Sequence, residues 1–333
     1  MNYLSLRTMS ARQCFWRPDC QRFWHMPERT AIVNNRWWIY QRERFPVLVH
    51  GPVIAVFGTS SVCYSRLLRG GSGWPDLHTV GTACTCTLLF FFQLRVADEW
   101  KDYGDDLRFR PYRAVPRGLV TLPELRTMAI VSALIQLLLS LWLGAVLLPL
   151  LFAVWAYMIL MTKEFFAAAW LKAHPVAYLL SHMLIMPLIY LYASGCDWRV
   201  AGYIRWSSLA WFLACGFFNG MVFEFGRKIR APQDEESGVE TYTALWGRKR
   251  ALGAWAAAIG LSAGAALVAA HGIPLNALRF ALSAAIMLTA VSASLRFASA
   301  PVRAGAKSIE TISGIWTLLL LLSLGPLPLL ATL

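Results

Sequence analysis

The chain has 333 residues, 57% hydrophobic and 15% charged, with a mean hydropathy of +0.50 and a formal net charge of +13. Soluble domains carry about 25% charged residues, so this composition excludes an ordinary soluble enzyme and points to an integral membrane protein. The basic excess then has to lie in the connections between apolar runs.

Residues 1–40 form an Arg- and Trp-rich tail without a continuous apolar core. That pattern does not suit a cleavable secretory signal, but it suits a basic arm lying on anionic lipid. Apolar runs of about 20 residues, the length that crosses a bilayer, follow near 45–68, 77–97, 124–143, 144–162, 176–195, 203–224, 251–270, 274–296 and 309–330. The third and fourth are nearly continuous through "LGAVLLPLL", so the expected count is nine with eight as the alternative. Of the 31 Lys and Arg residues, 26 fall in the tail and the even-numbered connections, leaving Arg66, Arg69, Arg199, Arg205 and Arg279 on the other side. The positive-inside rule then puts the N-terminus and the even connections in the cytoplasm. The expected architecture is an all-α membrane bundle of about nine transmembrane helices, residues 41–333, behind a basic cytoplasmic tail. The seven scattered cysteines have no metal-ligand spacing and read as small apolar filler.

The second run ends in "ADEWKDYGDD", where Asp98, Glu99, Asp102, Asp105 and Asp106 crowd together. If the helix continues to residue 106, at 100° per residue, all five fall within an arc of about 120°; if Gly104 ends it early, only Asp98, Glu99 and Asp102 keep this relation. Like charges four apart repel, and Arg95 and Lys101 are too few to offset five. A divalent cation would settle the cluster. Oxygen-only ligands suit Mg²⁺, which takes one or two carboxylates plus phosphate oxygens. The basic residues nearby then become phosphate partners. Arg108, Arg110, Arg113 and Arg117 follow the first acidic stretch. Arg227, Lys228 and Arg230 precede a second one after the sixth run, which holds Asp234, Glu235, Glu236 and Glu240, with Glu224 just upstream. A phosphate site at the mouth of an apolar bundle suggests an amphiphilic substrate, a diphosphate head on a hydrocarbon tail.

These residues carry a resemblance. "DEWKDYGDDLRFRPYRAVPRGLV" resembles the first signature of the UbiA-type membrane prenyltransferase superfamily, N/D-D-x-x-D-x-x-x-D followed by an R-P-x-R-P-x-x-x-G-type loop. Asp98, Glu99, Asp102 and Asp106 fall on its four acidic or Asn positions, and Arg110, Pro111, Arg113, Pro116 and Gly118 follow. Asp98 replaces the usual Asn, Glu99 the usual Asp and Ala114 the usual Pro. The second signature is kept in Asp234, Gly238, Thr241, Leu245 and Gly247, but Arg227 and Arg230 stand where acids are usual, with Glu224 displaced by a turn.

The resemblance implies nine membrane helices with both acidic loops cytoplasmic. It implies Mg²⁺-dependent transfer of a prenyl group from a prenyl diphosphate to a small-molecule acceptor, commonly an aromatic ring. Asp98 and Asp102 would be the catalytic pair, with Asp98, Glu99, Asp102, Asp106 and Asp234 as metal ligands. Arg110, Arg113, Lys163, Arg227, Lys228 and Arg230 would bind diphosphate, and Asn219 and Glu224 would line the site. The expected partners are these substrates and the lipid bilayer, with no nucleic acid. Two alternatives stay open: a terpene cyclase of the same superfamily, and a non-catalytic lipid-binding or transport protein. His174 and His182 are expected to be packing or interface residues.

Overall fold

Capping chemistry and the ends of the apolar runs set the helix boundaries. The computed structural model describes residues 35–199, 206–271, 273 and 276–332, which form fifteen α-helices and no strand. Residues 1–34 of the tail lie outside the described residues. The helix α1 (Arg36–Arg44) starts at Asn35, whose side chain accepts from the backbone N–H of Trp37 at 2.9 Å. It leads into α2 (Val47–Leu68). The next, α3 (Leu77–Lys101), starts at Asp76, which accepts from the Thr79 N–H at 2.9 Å. It is followed by the short α4 (Tyr103–Phe109). A reciprocal capping box between Thr121 and Glu124 opens α5 (Leu122–Leu143), satisfying amide donors that an uncapped helix start would leave bare.

The chain continues as α6 (Leu148–Thr162), α7 (Ala168–Ala173), α8 (Pro175–Met183) and α9 (Ile185–Gly195). It closes with α10 (Trp206–Lys228), α11 (Tyr242–Trp246), α12 (Arg248–Ala269), α13 (Asn276–Ser299), α14 (Arg303–Leu324) and α15 (Pro326–Leu330). Among the described residues nine stretches are long and apolar enough to cross a bilayer, and they coincide with the nine expected runs. The fifth span, Pro175–Trp198, is made of α8 and α9, and the ninth, Arg303–Leu330, of α14 and α15.

The second span takes the shorter of the two courses its sequence allows. The helix does not run unbroken to Asp106. It ends at Lys101, Asp102 (φ −87°, ψ 0°) is the junction, and α4 restarts at Tyr103. The break falls within the acidic stretch, where like charges four apart repel along a single helix.

Close packing in lipid depends on small residues at helix contacts. A Cβ on Gly226 of α10 would lie 2.1 Å from Ser313 Oγ of α14, an approach only glycine allows. The same hydroxyl accepts from Trp255 Nε1 of α12 at 2.9 Å, tying three helices together. At one end of the bundle Arg69 makes two 2.8 Å contacts to Asp197, both side chains nearly buried, and Tyr64 donates to the Ala269 carbonyl at 2.8 Å. At the opposite end lies a separate apolar cluster of Tyr40, Val96, Ala114, Val115, Val120 and Leu125, directly beneath the acidic stretch. Leu134, Leu138 and Leu141 of α5, with Leu288, Val291 and Leu295 of α13, stay exposed on the outer surface, where lipid would cover them.

Candidate active site

Where α3 ends, five acids have five different surroundings. Asp98 is half exposed, its nearest cation Arg95 at 3.4 Å. Asp102, one turn on, has no ion pair and no hydrogen bond to its carboxylate among the described residues. Burial raises its pKa above the ordinary carboxylate value, Lys101 lowers it in part, and the charges of Asp98 and Asp106 raise it further. Asp105 points into a cleft. Glu99 is 1% exposed and ion-paired to Arg44. Asp106 is gripped by Arg110 at 2.6 Å and Arg113 at 2.8 Å. The expected clustering around a single cation is therefore partly relieved by arginines that lie distant in sequence or beyond the helix break.

The cleft beside Asp102 has a volume of about 510 Å³. Its acids are Asp102, Asp105, Glu164 and Glu240, its cations Lys101, Lys163, Lys172 and Lys228. Lys101 donates to the Tyr178 hydroxyl and lies 3.9 Å from Glu164. Lys228 reaches Glu224 at 2.8 Å and stands 5.7 Å from the Tyr242 ring centroid, a cation–π distance. Lys163 and Lys172 are exposed and have no ion pair among the described residues. The turn that begins at the lining residue Glu164 is unusual: Glu164, Phe165 and Phe166 have φ of 47°, 51° and 58°, left-handed values that side-chain-bearing residues seldom adopt.

A second cleft of about 500 Å³ lies on the other side of the α10 terminus, lined by Arg227, Arg230, Asp234, Arg303 and Lys307 among others. Arg227 and Lys228 are neighbours about 100° apart around the helix, so each lines a different cleft. Glu224 sits between them, bound to Arg227 at 2.7 Å and Lys228 at 2.8 Å. Asp234 accepts from Arg303 Nε at 2.7 Å, which lowers its pKa. Glu235 accepts from Thr241 and Thr243 at 2.6–2.8 Å. The expected diphosphate ligands are thus dispersed. Lys163 and Lys228 meet Asp102, Arg227 and Arg230 face the second cleft, and Arg110 and Arg113 turn to Asp106. Asn219 is buried in a helix interface beside Thr317 Oγ1, at 3.3 Å, and lines neither cleft. His182 packs on Tyr178, ring centroids 3.9 Å apart, and His174 on Trp170.

The two signature regions also touch directly. The Tyr112 hydroxyl donates to Glu236 at 2.8 Å. Gly238 has φ 77° and lies so close to Phe109 that a Cβ there would be 2.5 Å from the ring.

The family model of the UbiA prenyltransferase family matches residues 59–309. The chain belongs to that family. Membership makes it a multi-pass membrane prenyltransferase, and both signature regions and the lysine-lined cleft lie within the matched span. The UbiA fold is shared with an apo UbiA homolog from Aeropyrum pernix K1, at 15% identity, covering 81% of this chain and 95% of that one, with a TM-score of 0.62. A solved structure concerning digeranylgeranylglyceryl phosphate synthase matches at 14% identity, covering 87% and 97%, with a TM-score of 0.57. No curated protein matches.

UbiA prenyltransferases generally use Mg²⁺ held by Asp-rich motifs. Among the described residues no three His, Cys, Asp or Glu side chains converge as a ready metal cage. The donor chemistry nevertheless fits a reduced set. Asp98 and Asp102 are one turn apart and lack strong partners, and Mg²⁺ needs only one or two carboxylates when phosphate oxygens complete its shell. The sequence left Lys101, Lys172 and Tyr178 out of the site. Lys172 and Tyr178 belong to no signature, and only the return of α7 and α8 to the end of α3 brings them in.

Proposed function

We propose that this UbiA-family protein transfers a prenyl group from a prenyl diphosphate to a small-molecule acceptor, with Mg²⁺ at Asp98 and Asp102. The observation that carries this reading is the cleft that brings Asp102, a desolvated carboxylate without an ion pair, together with four lysines. The diphosphate head would sit among Lys101, Lys163, Lys172 and Lys228, whose ammonium groups act as point charges on its oxygens. Mg²⁺, when bound, would draw charge from the departing diphosphate as the C–O bond ionises. The lysines stabilise the same leaving charge without reorganising, and the tail would lie towards the apolar bundle. Exclusion of water then leaves the allylic cation to the acceptor. The site end would face the cytoplasm, in keeping with the basic residues gathered there.

The test is turnover of short and long prenyl diphosphates by membranes containing the protein, with Mg²⁺ or with EDTA, products identified by mass. Metal-dependent prenylated product that disappears in Asp102→Ala supports the reading. Diphosphate release left untouched by that substitution would overturn it. Hydrocarbon formed from prenyl diphosphate and Mg²⁺ alone would identify intramolecular capture, a cyclase.

A further inference from the structure

Of the four acidic positions of the first signature only Asp102 lines the cleft, and Glu99 and Asp106 differ from the half-exposed Asp98 in being buried against arginines. Glu99 faces α1, where Arg44, itself 12% exposed, donates to it from Nε. Asp106 receives Arg113 Nη1 at 2.8 Å on one oxygen and has Arg110 Nη2 2.6 Å from the other. Desolvating an ion pair is costly unless its geometry is good, and carboxylates that face guanidinium groups at these distances, Glu99 through one oxygen and Asp106 through both, are less available to a cation. The surroundings are those of a clasp. Tyr40 of α1 packs into the cluster of Val96, Ala114, Val115, Val120 and Leu125, so the helix and the arginine-rich loop share one small core. Outside it, Arg117 reaches Glu43 at 2.9 Å and donates to the Tyr112 carbonyl at 2.7 Å, while Arg36 reaches Glu124 at 2.7 Å.

We infer that Glu99 and Asp106 are positioning residues, the anchors of an arginine lock by which α1 and the loop at 110–121 hold the break at Asp102 in place. Asp98 and Asp102 then remain as the first-signature carboxylates for a cation. The charge count agrees, because a Mg²⁺ completed by phosphate oxygens has no need of four carboxylates. The assignment rests on the proposed function only for what the lock positions.

The experiment uses the full chain in detergent with Mn²⁺ as probe and inorganic diphosphate present, metal binding followed by electron paramagnetic resonance. In Glu99→Gln the Mn²⁺ dissociation constant stays within about threefold of wild type, whereas Asp102→Asn weakens it by about tenfold or more. The folded fraction of Glu99→Gln shows a KM for prenyl diphosphate raised by about tenfold, which lost packing alone would not move. The single reversals Arg44→Glu and Glu99→Arg lower the thermal midpoint, and the double exchange restores most of the midpoint and of KM. Glu99→Gln weakening Mn²⁺ as much as Asp102→Asn would overturn the lock. So would an exchange that folds at the wild-type midpoint but binds Mn²⁺ as poorly as Asp102→Asn. Should the exchange not fold, the Glu99→Gln titration decides. Wild-type protein that binds no Mn²⁺ would sink the metal part of the proposed function instead, and the midpoints of the reversals and the exchange would then judge the lock.

Discussion

Asp102 and Asp105 both line the cleft, but Asp105 is exposed whereas Asp102 is half-buried near other carboxylates at a helix junction. Asp102→Asn is expected to lower kcat by about 10²-fold or more, the scale of losing a preorganised electrostatic partner. Asp105→Asn should stay within a few-fold, as steady-state turnover of prenyl diphosphate will show. Lys172 makes the complementary case. It is exposed and free of ion pairs among the described residues, so Lys172→Ala should raise the KM for prenyl diphosphate several-fold and leave the thermal midpoint unchanged. At this scale the sequence was partly legible. The signature spacing singled out Asp98, Glu99, Asp102 and Asp106 alike, with no sign of which two meet arginines, and it grouped Arg227 with Lys228 although the two line different clefts. The pairing of Glu99 with Arg44 was not legible, since 55 residues separate them and only folding makes them neighbours.

Helices and loops meet at the site through a few close approaches. Gly238 joins the second signature loop to Phe109 at the end of α4, with a left-handed φ and no room for a Cβ. Gly238→Ala should therefore cost about 2–3 kcal/mol from backbone strain and overpacking together, measurable as a lower midpoint in detergent. It should impair turnover further by parting the two signatures. The runs of apolar residues foretold nine spans because hydrophobic length is a local property. An early end of α3 was open on account of Gly104, but its place at Asp102 was not legible, because helical periodicity says nothing about where charge repulsion outweighs continuation.

Across the whole bundle the two ends are built differently. One carries both clefts, the arginine loop and nearly all the cations; the other is closed by the buried pair of Arg69 and Asp197 and by Tyr64 reaching two carbonyls. A cysteine placed at Gly70 in a cysteine-free background should react with an impermeant maleimide from outside intact cells. One placed at Glu236 should react only after permeabilisation, and the reverse pattern would invert the proposed orientation. Breaking the far-end pair with Asp197→Asn should lower the thermal midpoint by leaving a buried guanidinium poorly matched. Metal affinity at the opposite end should not change.

Glu164, Phe165 and Phe166 are the described non-glycine residues with positive φ, and the first of them lines the lysine-lined cleft. Left-handed backbone costs about 1–2 kcal/mol per side-chain-bearing residue. The Phe166 side chain, 81% exposed, offers little packing within the protein in return. Phe166→Gly should accordingly raise the thermal midpoint. The turn is thus a reserve of stability left undrawn, and a chain selected only for robustness would trade it away. Its retention beside Lys163 marks the point where this fold ranks the shape of its cleft above its own melting temperature.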